Sequence, residues 1–208
     1  MASHDNRSQR RERVRREILE AAGRLFAEQG RAHVSIRGIA EAAHYSPATL
    51  YLYFEDKEDL LQQICDDAFQ QLIDRLEKVD TTVEDPTERL RAGCRAYIDF
   101  GLEHPHKYLV TFSSPPGKES CSDKAFDDST GQRAFSHLVC SVAACVEAGQ
   151  APAVDVHATS AYFWAAIHGL TSLLICHQSF PWPDRQVMID ELLSALIRSL
   201  QTAPIDTA

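Results

Sequence analysis

Apolar residues in this chain recur at intervals of three and four, and no run of β-branched residues alternates for more than a few positions. That spacing gathers them on single helix faces and leaves no half-buried strand from which to build a sheet. The expected fold class is therefore all-α. Val14, Ile18, Ala22, Leu25 and Phe26 share the face of a first helix, and Gly30 stops it. Ser35 can cap a second helix that buries Ile36, Ile39, Ala40 and Ala43. Ser46 can cap a third, with Pro47 at the first helical position, where its missing N–H costs nothing. Tyr45 and Leu50 stand at the two positions of a hydrophobic staple, and Leu50 and Phe54 form the inward side.

Asp56 begins a fourth helix, with Asp59 three residues on as a carboxylate analogue of a capping box. It runs through Leu60, Leu61, Ile64, Ala68, Leu72 and Leu76 to about Val79. A break around Pro86 precedes a helix over 87–103, which His104-Pro105 ends, and a short apolar helix spans 107–112. Residues 113–129 are rich in Ser, Asp, Gly and Pro and read as a loop. Further helices are expected over 132–148, 156–177 and 184–201. There is no internal repeat. The organisation expected is a three-helix head with its basic arm over 1–56 and a helical regulatory and dimerisation body over 57–208.

Among 208 residues, 44% are hydrophobic, enough for a sizeable core. No uninterrupted apolar run reaches the ~18 residues of a membrane span. The longest, Tyr162 to Cys176, is broken by His168, Gly169, Thr171 and Ser172. Nothing apolar follows the basic N-terminus, so no secretory signal and no membrane partner are expected. The six cysteines form no C-x-x-C pair and read as reduced, mostly buried thiols of a cytoplasmic protein, without a zinc site. Net charge is -9, but it divides unevenly: residues 1–54 carry +3 and the rest -12. Arg7, Arg10, Arg11, Arg13, Arg15 and Arg16 lie in ten residues opposed only by Glu12. A basic end on an acidic body can meet a polyanion only through that end. Those arginines suit phosphate neutralisation or minor-groove entry rather than choice of sequence.

Two short capped helices separated by a tight turn form a helix-turn-helix, whose second helix enters the DNA major groove while the first braces it. With Leu50 and Phe54 turned inward, Pro47, Ala48, Thr49, Tyr51 and Tyr53 are left to reach outward, beginning from the cap at Ser46. Small residues permit close approach to base edges, and the Thr and Tyr hydroxyls can bond bases or phosphates. The string I-A-E-A-A-x-x-S-x-A-T-L-Y-x-Y-F-x-D-K-E-D-L resembles the head of TetR/AcrR-family transcriptional regulators, and I-L-E-A-A-G-R-L-F-A-E-Q-G before it is similar to that family's first helix. The likeness runs from about Val14 to Leu61. It implies that Ser35, Ile36 and Arg37 sit where the bracing helix meets DNA, and that Lys57 matches a phosphate-binding lysine opening the fourth helix. One position departs from the pattern: His44 stands where the turn usually has Gly, and a left-handed conformation there costs a residue with a β-carbon about 1 kcal/mol.

In the body, Tyr162-Phe-Trp-Ala-Ala-Ile-His-Gly-Leu170 is similar to a W-x-x-x-H-G signature of one TetR subgroup. Trp164 and His168 fall on one helical face, where they either pack in the core or join a pocket. Tyr97, Phe100, Tyr108, Phe112 and Phe135 are the other pocket candidates, together suiting a small hydrophobic or aromatic effector. His104-Pro-His106 lacks a carboxylate or Cys at ligand spacing, so no metal and no cofactor are expected. Val187, Ile189, Leu192, Leu193, Leu196, Ile197 and Leu200 exceed one apolar stripe, which predicts two buried faces on the last helix. Leu170, Leu173, Leu174, Leu193, Leu196 and Leu200 are thus the candidates for a homodimer seam, which the resemblance also implies. The expected function is a dimeric repressor on an inverted-repeat operator of double-stranded DNA, released by a small molecule. A helical enzyme finds no patterned nucleophile, base or metal ligands here. A DNA-binding protein without an effector would need a body filled throughout.

Overall fold

The computed structural model describes residues 2–112 and 129–202, and the side chains from residue 7 onward within them. The loop expected over 113–129 lies outside the described residues, save for Ser129. Among the described residues the regular elements are all helical: α1 (Ala2–Gln29), α2 (Ile36–Ala42), α3 (Pro47–Leu50), α4 (Lys57–Thr82), α5 (Pro86–Glu103), α6 (Pro105–Phe112), α7 (Thr130–Glu147), α8 (Val156–Cys176) and α9 (Arg185–Gln201). The fold is all-α, as the periodicity predicts. The described residues of Met1–Ala68 and His106–Ala125 form one compact unit, and those of Phe69–Pro105 and Phe126–Ala208 the other. Residues of α4 and of the α5–α6 stretch therefore fall in both.

Boundaries differ from the expected ones at two prolines. Pro86 and Pro105 each open a helix, because a fixed φ and absent N–H suit the first turn. Asp85, Asp155 and Asp184 cap α5, α8 and α9 by accepting from backbone N–H groups three residues on. Ser129 does the same for α7. At the start of α4, Asp56 accepts from the Asp59 N–H at 2.8 Å, while Asp59 reaches back to the Glu55 N–H at 2.9 Å. Gly30 sits at φ 77, a left-handed stop that a side chain would strain. The basic run lies on α1 itself rather than on an extended arm.

In the first unit, Val14, Ile18, Leu19, Ala22 and Phe26 of α1 meet Ile39 and Ala40 of α2, Leu50, Phe54, and Leu60, Leu61 and Ile64 of α4 in one buried cluster. Val34 joins it, and Leu25, Ile36, Ala43, Tyr45 and Val110 pack against it from half-exposed positions. In the second unit α5 packs on α7, α8 and α9, and α8 on α7 and α9. Ile98, Val142, Phe163, Ile167 and Ile189 are each almost wholly buried there.

One expectation about the last helices changes. Ile189, Leu193, Leu196, Ile197 and Leu200 form one buried stripe on α9, while Val187 is exposed and Leu192 half-buried outside it. Gln186, Asp190 and Ser194 make a polar stripe beside it that engages Arg95 and Arg91 of α5. Leu174 of α8 is buried likewise. Leu174, Leu193, Leu196 and Leu200 are thus spent on their own subunit's core and have no surface left for a second copy. Leu173 remains 45% exposed, beside half-buried Leu170. Among the described residues α8 is also long and apolar enough, by length and composition, to cross a membrane. The polar residues that interrupt its apolar run carry no formal charge and lower the average little. A core helix meets the same criterion, and α8 packs on α5, α7 and α9.

Candidate functional site

Ser35 caps α2 through a bond from the Gly38 N–H at 3.1 Å. Ser46 caps α3 through the Thr49 N–H, also at 3.1 Å, and its hydroxyl meets the Thr49 hydroxyl at 2.9 Å. Between the two helices His44 takes φ 60, the left-handed turn its position demands. The turn closes by bonds from the His44 N–H to the Glu41 carbonyl and from the Tyr45 N–H to the Ala40 carbonyl. Tyr45 packs on the head core, and its hydroxyl bonds Glu17 of α1. Helical bonding in α3 ends sooner than the apolar spacing suggests. Beyond Leu50 the chain tightens into turns, the Leu52, Tyr53 and Phe54 N–H groups donating to the Thr49, Leu50 and Leu50 carbonyls. Leu50 and Phe54 still point into the core.

This leaves Ser35, Arg37, Ser46, Pro47, Ala48 and Tyr51 exposed, and Ile36 and Thr49 half-buried. Tyr51 is 59% exposed, and Leu52, which sequence reasoning passed over, is 73% exposed. Tyr53 departs from the outward reading: it is half-buried, with the Arg11 guanidinium over its ring. Nothing in the helical spacing of α1 points to that contact, because it joins residues 42 positions apart. Lys57 donates to the Arg31 carbonyl at 3.1 Å and the Val34 carbonyl at 3.3 Å, and Arg31 pairs with Glu58. The lysine therefore ties the start of α4 to the loop ahead of α2.

In the second unit four of the seven aromatic and His candidates come together. The Trp164 indole N–H donates to the Tyr97 hydroxyl at 3.3 Å, and that hydroxyl lies 3.2 Å from His168 Nδ1. Phe135 meets the Trp164 ring edge-on at 6.0 Å. Ser172 and His157 complete the group, the hydroxyl 3.3 Å from His168 Nε2 and the imidazole edge-on to Phe135 at 5.5 Å. Helical spacing could have found both, since Ser172 is one turn past His168 and His157 two turns before Trp164. Burial holds the His168 pKa below the usual imidazole range, favouring a neutral ring that donates at one nitrogen and accepts at the other. Phe100 is fully buried and contacts both the Arg75 guanidinium and the His104 ring. Tyr108 and Phe112 belong to the first unit, where their rings contact at 4.8 Å.

Two family descriptions match the chain. Residues 18–64 fit the model of bacterial regulatory proteins of the tetR family, and residues 90–200 that of the tetracyclin repressor-like C-terminal domain. Over 98 residues, 47% of this chain and 47% of the relative, it is 30% identical to the HTH-type transcriptional repressor KstR2 of Mycolicibacterium smegmatis. Over 135 residues, 59% of this chain and 61% of the relative, it is 29% identical to the HTH-type transcriptional activator FasR of the same organism. The chain thus spans about half the length of the first curated relatives it matches. A TetR family transcription regulator from Marinobacter aquaeolei VT8 superposes with a TM-score of 0.74 at 26% identity, over 93% of this chain and 98% of that one. Head and body both match, the body model alone covering more than half of the residues, and the fold agrees: this chain belongs to the TetR family of transcriptional regulators, not to a family of enzymes.

Proposed function

We propose that the chain is a cytoplasmic homodimeric repressor that binds an inverted-repeat DNA operator through α2 and α3 and leaves it when a small hydrophobic or aromatic molecule binds the second unit. One observation carries the DNA reading: Ser35, Arg37, Ser46, Pro47, Ala48 and Tyr51 form an exposed polar and small-residue surface on two helices whose other sides are locked in the head core. A buried scaffold behind an exposed hydroxyl- and arginine-bearing face suits base and phosphate contacts. Two such faces are needed for successive major grooves about 34 Å apart, so dimerisation belongs to the function. With four of the six seam leucines buried, the exposed Leu173 and Tyr162 and the half-buried Leu170 on α8 are the residues we assign to the seam. Exposed apolar side chains of this kind favour burial against a partner.

Tyr97, Phe135, Trp164 and His168 supply an aromatic surface with a hydroxyl and a neutral imidazole, fitting an apolar ligand with one hydrogen-bonding group. The net charge of -12 over residues 55–208 disfavours a polyanionic effector. The ligand would act through α4, which at 26 residues is roughly 39 Å long and has residues in both units. Only a difference in ligand affinity between the two states can move it, and a coupling of about 1–3 kcal/mol releases the operator 5–150-fold. The test is a screen of aromatic and aliphatic compounds for thermal stabilisation, followed by operator-release titration of the hits. Trp164→Ala is expected to retain operator binding and lose release. Hits that stabilise the protein while operator affinity stays constant would contradict the coupling.

A further inference from the structure

Tyr51 and Tyr53 follow α3 under different restraint. Tyr51 is 59% exposed, and none of the ring contacts among the described residues involves it. Tyr53 is half-buried, its ring against that of buried Phe54, with centroids 6.3 Å apart and planes tilted by 37°. The guanidinium carbon of Arg11 lies 5.7 Å from the Tyr53 centroid. Core phenylalanine, half-buried tyrosine and exposed arginine thus make a ladder from the inside of the head to its surface. Arg15, one turn further along α1, bonds Gln63 of α4 at 3.1 Å, so the Arg11 side of α1 is held in place by more than one contact.

From this geometry we propose that Arg11 is a positioning residue: it fixes Tyr53 before DNA arrives, so that α1 sets part of the sequence preference of the recognition turn. The proposal rests on the DNA-binding reading above. A ring ordered in advance avoids the ordering cost that Tyr51 meets on binding. Arginine suits the task because its planar guanidinium stacks on an aromatic face, whereas a lysine ammonium is a compact, strongly hydrated charge. A bare phosphate contact by Arg11 would behave differently: it would strengthen binding to every duplex alike and raise the salt dependence.

The experiment uses the full chain as wild type, Arg11→Ala, Arg11→Lys, Tyr53→Ala and the Arg11→Ala/Tyr53→Ala pair. Fluorescence anisotropy measures affinity for a duplex enriched by the wild-type protein from a random-sequence pool, and for a scrambled duplex of equal length, over a range of salt. Arg11→Ala is expected to lower the ratio of the two affinities about two- to five-fold, the size of an exposed cation–π contact. Arg11→Lys should keep the wild-type scrambled-duplex affinity and salt slope but not the ratio. In the Tyr53→Ala background, removing Arg11 should leave the ratio unchanged. Thermal unfolding checks each variant, and Tyr53→Leu, which keeps bulk against Phe54 without an aromatic face, replaces Tyr53→Ala if that variant unfolds. Equal loss on both duplexes with full rescue by lysine would make Arg11 a phosphate contact only and overturn the positioning role. So would a ratio that falls equally with and without Tyr53. A wild-type protein that enriches no sequence would instead remove the DNA-binding reading, and this proposal with it.

Discussion

His44 shows how a single position reports on backbone. A chain with His where the turn needs a left-handed residue must either change the turn or bear the strain, and it bears the strain at φ 60. His44→Gly is therefore expected to raise stability by up to about 1 kcal/mol in urea denaturation, strain relief exceeding the entropy glycine gains in the unfolded state. Lys57 carries a contact that the family likeness does not imply: with no DNA bound, its ammonium donates to two carbonyls within the head. Such a contact is invisible to helical spacing because it joins the start of α4 to a loop more than twenty residues earlier. Lys57→Met should cost about 1 kcal/mol of stability without any DNA present; an unchanged unfolding midpoint would show that the tie carries nothing. His168 adds a pH dependence with a defined sign. Its folded pKa is depressed by burial, so the unfolded chain binds the proton more readily. That contribution is intact above about pH 6.5 and is lost as pH falls from there toward the lower folded value. His168→Gln should flatten the stability–pH curve in that window, and a curve parallel to wild type would contradict the assignment.

At the scale of elements, helix positions were legible because apolar spacing and caps are local. Ser35, Ser46 and Asp56 mark starts that the structure keeps, and Gly30 a stop. What escaped was tertiary. Beside the buried stripe of α9, Asp190 and Ser194 meet Arg95 and Arg91 of α5, polar contacts to which leucine spacing does not point. Spacing along one helix cannot say which neighbour takes its apolar stripe. The two readings of the dimer seam separate cleanly by mutation. Leu193→Asp puts a carboxylate into a site that is 2% exposed, and should unfold the protein. Leu173→Asp alters an exposed residue on α8 and should leave a folded monomer in sedimentation. A Leu173→Asp protein that remains dimeric would move the seam elsewhere.

For the whole molecule, the charge division matters more than net charge. A +3 head on a -12 remainder gives a single end that anionic DNA can approach. The head motif is readable directly, and the family match over residues 18–64 agrees with it. Pocket residues are harder to read from sequence, because aromatic residues on several helices share a composition whether they line a site or fill a core. Tyr97, Phe135, Trp164 and His168 converge, while Phe100 is simply buried. The proposed reading of DNA by the exposed face of α2 and α3 underlies operator binding, release and specificity alike. The most direct test is an anisotropy titration of wild type and a Thr49→Ala/Tyr51→Phe double variant against an inverted-repeat duplex enriched from a random pool. The wild type should bind that duplex on the order of a thousand-fold or more above a scrambled one. The double variant should lose about 1–3 kcal/mol for each residue that contacts a base. Full operator affinity in a folded double variant would contradict it.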